Sequence, residues 1–171
     1  MGRDAGFEVR LSGGWRQTVG EANSVAYEVA ADPTLAAELW EAVGAADDVV
    51  AGRAVDALEK ASRTRPEVLD GREDEILEEL SCSPLPEVRW NVGRLVPRLS
   101  LRDEQVPEAA AVLERLLTDS SRIAQALALD GLVTLADAHP GLADRAAVAL
   151  TAALENPSPA VRARARELTR R

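Results

Sequence analysis

The residues of this sequence that could perform chemistry are few and lie far apart. Its one histidine, His139, stands in the turn DAHPG, and its one cysteine, Cys82, stands in LSCSPLP at a helix end. A serine or cysteine nucleophile needs a base beside it, and only His139 is available for that role. A loop histidine before proline is typical of a turn, and Cys82 has no histidine near it in sequence. We therefore predict no catalytic residues and interpret the protein as a non-enzyme.

Motifs that hold metals and cofactors are also missing from the sequence. Metal sites need several converging ligands, whereas histidine and cysteine each occur once. Neither a glycine-rich phosphate loop nor a dinucleotide-binding fingerprint occurs. We predict no metal and no cofactor. The first ten residues, MGRDAGFEVR, contain no long apolar run, which predicts no signal peptide, no membrane partner and a cytoplasmic location.

One cluster has the chemistry of a binding surface. The stretch PEVRWNVGRLVPRL has the spacing of a helix with one buried stripe, and its other side carries Trp90, Asn91, Arg94 and Arg98. Tryptophan and arginine are over-represented among the residues that dominate interface energetics. Arginine also binds carboxylates through two parallel hydrogen bonds. The cluster therefore predicts a protein or peptide partner that carries acidic groups.

A repeat of about 37 residues positions this cluster. Apolar residues recur in step along the chain, and offsets of four, seven and eleven residues within each repeat indicate helices. The first-helix ladder is Leu39, Ile76, Leu113 and Leu150, and each is followed four residues later by Val43, Leu80, Leu117 and Leu154. The second-helix ladder begins at Val50, Val88, Ala124 and Val161.

The ladders and the turns between them predict a single repeat domain over residues 20–171. Asp, Ser, Asn and Pro residues in the turns supply helix caps and stops. An extra helix is expected near residues 20–31. The repeats are expected at residues 34–63, 67–100, 106–138 and 142–170. The helix pairs within them are 34–44 with 47–63, 67–81 with 86–100, 106–118 with 121–138, and 142–155 with 158–170.

The first 19 residues are predicted to form an irregular N-terminal arm. FEVRL at residues 7–11 alternates but is short and isolated, and SGG at 12–14 indicates a flexible joint. Trp15 is expected to cover the exposed end of the first repeat or, alternatively, to contact another chain. Trp40, beside Leu39, is expected to be buried.

Two segments resemble the second helix of HEAT repeats. SPLPEVRWNVGRLVPRL and NPSPAVRARARELTRR both have a turn with proline, a Val-Arg pair, small residues and a late leucine. The predicted fold class is accordingly all-α: a right-handed α-α superhelix (α-solenoid) of about four HEAT-like helix pairs plus an N-terminal helix. The resemblance implies that the second helices line the concave face. Gly52, Gly93 and Gly131 fall inside these helices, where close approach of neighbouring helices is expected.

The repeat register places further residues on the same face as Trp90. The complete predicted binding surface is Trp90, Asn91, Arg94, Arg98, Arg53, Asp56, Lys60, Asp130, Thr134 and Arg164. Two interpretations of Arg94 stay open, because it lies one repeat from both Asp56 and Asp130. It belongs either to an internal ion-pair ladder or to a partner-binding groove, and the two are compatible. Trp90 itself either faces solvent or packs against the next repeat.

The charge distribution makes nucleic acid an unlikely partner. The formal net charge is -9, and residues 21–85 contain 16 acids and 5 bases. A broad nucleic-acid-binding face needs cations that neutralise phosphates. The acidic run GREDEILEEL at 71–80 is interpreted as a solvated face, with a docking patch for a basic partner as the alternative.

The function expected from these patterns is a non-enzymatic protein- or peptide-binding scaffold. The first alternative is a DNA-binding or alkylpurine DNA glycosylase-like HEAT protein, in which Trp90 with Asp56 or Asp130 would surround a damaged nucleoside. The second is a structural or chaperone-like subunit of a larger assembly. HEAT-like arrays host many functions, so the resemblance does not choose among these.

Overall fold

The computed structural model describes residues 6–13 and 20–170, and these residues form helices joined by turns, without a strand. The all-α prediction is therefore confirmed. The chain divides into two compact units, Met1–Asp70 and Gly71–Arg171. The division falls inside the domain that the repeat pattern predicts over residues 20–171. Within the described part of the chain, no helix is long and apolar enough to cross a bilayer.

The first unit is built around its longest helix. Its helices are α1 (Phe7–Leu11), α2 (Ala22–Ala31), α3 (Ala36–Val43) and α4 (Asp48–Ala61). All three of the others pack against α4. The Asp47 carboxylate caps α4 by accepting a hydrogen bond from the Val49 amide at 2.8 Å. The helices predicted at 20–31, 34–44 and 47–63 are confirmed to within a few residues. Trp40 is buried, as expected, and its indole N–H donates to the Val68 carbonyl at 2.9 Å.

Residues 7–11 form a helix, so the prediction of an irregular arm is wrong for this segment. Phe7 and Leu11 are four residues apart and both are buried, which gives the segment one apolar helical face. The Phe7 amide also donates to Glu38 Oε1 at 2.8 Å. Helix α1 thus packs onto α3 and α4. Trp15 lies outside the described residues, and its covering role stays a prediction.

The second unit contains three second helices side by side. Its α-helices are α5 (Pro86–Leu95), α6 (Val106–Leu116), α7 (Arg122–Ala138), α8 (Ala143–Leu154) and α9 (Pro159–Leu168). Helix α7 packs between α5 and α9, and it also contacts α6 and α8. Pro86 and Pro159 stand in the first turns of α5 and α9, where their missing N–H groups leave no hydrogen bond unmade.

The predicted start of the helix over 67–81 is wrong. Pro66–Leu69 form a 3-10 turn, and a π-helical turn, Glu75–Glu79, is followed by a 3-10 turn, Leu80–Cys82. Gly71 separates these segments with a φ of +75°. This left-handed conformation is accessible to glycine and ends a helix. The two units divide at this point.

The second-helix ladder is confirmed as the buried stripe. Val50, Val88, Ala124 and Val161 are between 1% and 2% exposed. The first-helix ladder is also buried at Leu39, Ile76 and Leu113, each 0% exposed. Leu150 and Leu154, on α8, are only half-buried.

Candidate functional site

Arg53 is buried, so its predicted place on an exposed surface is wrong, and its role as a binding residue stays a prediction. Its residue exposure is 5%. Its Nη1 donates to the carbonyl oxygens of Leu11 at 2.7 Å and Gly13 at 2.6 Å. A guanidinium removed from water needs such acceptors. Arg53 therefore fastens α1 and the residues after it to α4.

Asp56 and Lys60 neutralise each other inside the first unit. The Lys60 Nζ atom lies 2.6 Å from Asp56 Oδ2 and 2.6 Å from Asn23 Oδ1. Both charged side chains are about one quarter exposed, at 25% and 28%. The three residues join α2 to α4, so their first role is to hold these helices together.

In the second unit, Trp90 is held in place by the following helix pair. Its indole Nε1 donates to Ser121 Oγ at 2.7 Å. Ser121 is the N-cap residue of α7, and its hydroxyl accepts from the Ala124 amide at 3.4 Å. The Trp90 ring remains half-buried. Trp90 therefore packs against the next repeat and still presents part of its surface to solvent.

Two glycines bring α5 and α7 into backbone contact, as predicted. A β-carbon added at Gly93 would lie 2.8 Å from the Ala128 nitrogen and from the Leu127 carbonyl carbon. Side chains larger than hydrogen cannot fit at this distance. The next residue, Arg94, is exposed.

Asn91 is buried, so its predicted place on an exposed face is wrong, and its role as a binding residue stays a prediction. It is 7% exposed, and its amide Nδ2 donates to the Glu87 carbonyl of the same helix at 2.9 Å. Asn91 faces the core of the unit, whereas the half-buried Trp90 and the exposed Arg94 lie on the outer side of α5.

Asp130, Thr134 and Arg164 form one polar cluster between α7 and α9. Arg164 Nη2 lies 2.6 Å from Asp130 Oδ1, and Arg164 Nη1 lies 2.6 Å from Glu167 Oε2. The exposed Thr134 donates its hydroxyl hydrogen to the Asp130 carbonyl at 2.9 Å. The hydrogen bond to Asp130 raises the pKa of Arg164 above its usual range. Asp130 on α7 is therefore paired with Arg164 on α9. The ion-pair ladder from Arg94 to Asp56 and Asp130 stays a prediction.

The predicted list of binding residues omits two apolar residues of α7, although the repeat register places Leu127 in one row with Arg53, Asn91 and Arg164. Ile123 is 50% exposed, and Leu127 is half-buried. Ile123 directly precedes the ladder residue Ala124, so it falls off the buried stripe. An isoleucine displaced from its apolar stripe is the signal that would have identified it. We define the Trp90 surface as Trp90, Arg94, Arg98, Ile123 and Leu127.

Arg89 braces the turn that supports Trp90. Its Nε and Nη2 lie 2.6 and 3.3 Å from the two carboxylate oxygens of Asp119, and its Nη1 donates to the Ser83 carbonyl at 2.6 Å. Asp119 Oδ1 also accepts from the Ser121 amide at 2.7 Å. The Arg89 hydrogen bond, more than any other cause, lowers the pKa of Asp119. The position of Ser121, and hence of the indole, depends on this pair.

The residues with reactive side chains lie outside this surface. Cys82 is exposed, and its Sγ lies 3.7 Å from Ser81 Oγ and 3.6 Å from Arg115 Nη2. Over residues 6–13 and 20–170, no group of three His, Cys, Asp or Glu side chains has metal-binding geometry. The arrangement of aromatic, apolar and cationic groups suits non-covalent recognition.

An apolar cavity lies beside α6 and α8 in the same unit. Its volume is about 390 Å³, and its lining includes Leu117, Val148 and Ala152. Val148 is 71% exposed. Arg145 and Glu114 border the cavity and are joined by two hydrogen bonds of 2.7 and 2.8 Å. Its polar groups are thus satisfied within the protein.

Comparison with known proteins supports the fold alone. An engineered protein whose crystal structure was determined by the Northeast Structural Genomics Consortium is similar to this chain, with a TM-score of 0.65 and 18% sequence identity. The match covers 96% of this chain and 76% of the engineered one. No protein-family model matches the chain, and no curated protein matches it significantly.

Proposed function

We propose that this protein is a non-enzymatic scaffold that binds another protein or a peptide through the Trp90 surface. The observation that carries the proposal is the 2.7 Å hydrogen bond between the Trp90 indole and Ser121. A ring that is already fixed loses little conformational entropy when a partner packs on it. Tryptophan buries a large area per side chain, so an anchored, half-exposed indole suits recognition.

The partner segment would carry an apolar side chain next to carboxylates. Ile123 and Leu127 supply apolar area on α7, the helix whose N-cap residue holds Trp90, and Arg94 on α5 and Arg98 in the 3-10 turn after it supply guanidinium groups. Arginine recognises a carboxylate through paired hydrogen bonds whose geometry is fixed. Apolar contact would supply most of the affinity, and the arginines would select an acidic segment.

We further propose that the helix pairs belong to a HEAT-like right-handed superhelix with the Trp90 surface on its concave side. The 37-residue register and the packing of α7 between α5 and α9 support this assignment. A cytoplasmic location is part of the same proposal, because the sequence holds one cysteine and no disulfide framework.

Partner capture followed by affinity measurement tests the proposal. The immobilised protein is exposed to an extract of its native host, the retained protein is purified, and its Kd is measured by calorimetry. Ile123→Asp places a charge at a residue that is 50% exposed, so the fold is retained. We expect at least about tenfold weaker binding, which corresponds to about 1.4 kcal/mol.

Val148→Asp is the matched control, because Val148 is an exposed aliphatic residue on α8, outside the Trp90 surface. It should leave the Kd within about twofold of wild type. Equal affinities of all three proteins would refute the proposed surface. A mobility shift of duplex DNA at physiological salt would favour the DNA-binding alternative, because an acidic scaffold should bind almost none.

A further inference from the structure

Residues at equivalent positions of α5, α7 and α9 form one row. Its members contact neighbouring helices from α5 and α7, whereas at α9 all of them are arginines. The row comprises the residues one, five and nine positions after Val88, Ala124 and Val161, the residues that begin the second-helix ladder in α5, α7 and α9. In α5 and α7 its members contact the following helix pair: Arg89 binds Asp119, and Gly93 touches Ala128. Gln125, in α7, accepts from Asn156 Nδ2 at 3.2 Å. At α9 the same row is Arg162 and Arg166, within the helix, and Arg170, in the turn after it.

These three arginines lack the carboxylate partners that other arginines of this unit have. Arg162 Nη1 donates to the carbonyl oxygens of Asn156 at 2.6 Å and Pro157 at 2.9 Å. Within the described part of the chain, no carboxylate forms an ion pair with Arg162, Arg166 or Arg170. Arg166 and Arg170 are exposed. Arg162 and Arg166 therefore lie one helical turn apart on one side of α9, about 6 Å along its axis, and Arg170 follows in the turn after Leu168.

An apolar residue of α8 belongs to the same end of the unit. Leu117 of α6 lines the cavity beside α8. The repeat position that Leu117 occupies therefore faces the following helix pair, α8 and α9. Leu154 is its counterpart 37 residues later, and it is half-buried. We define Leu154, Arg162, Arg166 and Arg170 as the terminal face.

The three charged residues of the terminal face are all cationic. In a protein of net charge -9, this row is complementary to an acidic partner. Elsewhere in the unit, an arginine and a glutamate already join neighbouring elements, since Arg145 binds both oxygens of Glu114 at 2.7 and 2.8 Å. The same geometry would pair α9 with a helix that carries carboxylates at every fourth residue.

We propose that the terminal face docks a helix of a partner protein that carries Asp or Glu at every fourth position beside an apolar side chain. It shares no residue with the Trp90 surface, so it stands or falls independently of the proposed function.

The test uses a labelled synthetic helical peptide with glutamate at every fourth residue and leucine beside it. Its counterpart with glutamine at those positions is the control peptide. Fluorescence anisotropy with the full-length protein should give a Kd at least about tenfold lower for the glutamate peptide, with affinity falling as salt rises. Equal affinities for the two peptides would overturn the proposal.

Two charge-matched triple variants locate the site. R162E/R166E/R170E should lose the preference for the glutamate peptide, whereas R65E/R102E/R122E should keep it within about twofold, because those arginines are exposed elsewhere. If both variants lost the preference for the glutamate peptide equally, binding would depend on net charge alone. The assignment of the binding site to the terminal face would then be overturned. Because Arg162 also holds a turn, R166Q/R170Q provides a variant at two exposed positions, with an expected loss of at least about threefold.

Sedimentation of the protein alone distinguishes a second copy from a different partner. We expect no salt-sensitive dimer. A dimer that the R166Q/R170Q variant abolishes would show that another copy of this chain covers the terminal face, and the partner helix would be ruled out.

Discussion

The carbonyl oxygen of Gly93 occupies the space that a side chain at Gly131 would need. A β-carbon added at Gly131 would lie 2.1 Å from that oxygen, well inside van der Waals contact. The backbones of α5 and α7 therefore touch at this point. The same two helices are joined by the hydrogen bond from the Trp90 indole to Ser121, the N-cap residue of α7, so this bond requires their close approach. The candidate binding surface depends on it.

Gly131→Ala should destabilise the protein strongly, because the new methyl group must push α5 and α7 apart. We expect a loss of about 2–4 kcal/mol in the free energy of unfolding, measured by urea denaturation. Gly141→Ala is the control, since nothing lies within 4 Å of the position of its added β-carbon. Equal effects of the two substitutions would show that the helices are not in contact.

Asp119→Asn should remove the charge from the Arg89 pair while keeping an oxygen that accepts from the Ser121 amide. We expect a loss of about 1.5–3 kcal/mol at pH 7, the range for hydrogen bonds to charged groups. The side chains of Arg89 and Asp119 are only 16% and 8% exposed, so screening by water is limited. Urea denaturation of both proteins gives the difference.

The cost of Asp119→Asn should depend on pH. Arg89 holds the pKa of Asp119 below its usual range, so the folded state favours the ionised carboxylate. The stabilisation is complete above the unfolded-state pKa of about 3.9, and it is lost as pH falls through the lower folded-state pKa. The gap between wild type and variant should therefore narrow below about pH 4. A gap that stays constant down to pH 2 would contradict the ion pair.

Arg53→Ala should release α1 from the first unit. Removing a buried guanidinium leaves the Leu11 and Gly13 carbonyls without their donor, at a cost of about 2–4 kcal/mol. Hydrogen exchange should accelerate first at residues 7–11. Arg65→Ala serves as the control, because the Arg65 side chain is 50% exposed. Unchanged exchange at residues 7–11 in Arg53→Ala would refute this role.

Ser121→Ala should remove both the cap of α7 and the acceptor for the Trp90 indole. We expect a loss of about 1–2 kcal/mol by thermal or urea unfolding. Ser121→Thr retains the hydroxyl and should recover most of that stability. Ser24→Ala, on the exposed side of α2, should be close to neutral. If Thr fails to restore what Ala removes, the hydroxyl is not the group that matters.

Periodic burial made most of the fold predictable. The ladders through Val88, Ala124 and Val161 located the second helices, and the glycines inside α5 and α7 indicated a close helix contact. Both inferences rest on local patterns whose meaning is fixed by helix geometry. The break at Gly71 was missed, because the apolar spacing around it also suited a continuous helix.

The candidate surface was less predictable, since it depends on contacts between distant residues. Arg53 and Asn91 were placed by register, but their burial is decided by the neighbours that cover them: α1 covers Arg53, and the outer positions of α5 leave Asn91 inside. The Arg89–Asp119 pair joins residues 30 apart in sequence, and no local pattern marks such a pairing. Ile123, in contrast, was visible as an isoleucine beside the buried stripe.

The most direct test of the Trp90 surface is an NMR titration with the purified partner. The account predicts that the Trp90 indole N–H and the Ile123 methyl signals shift or broaden on binding, while the Val148 methyl signals stay unchanged. Binding that perturbs Val148 and leaves both Trp90 and Ile123 unaffected would contradict it.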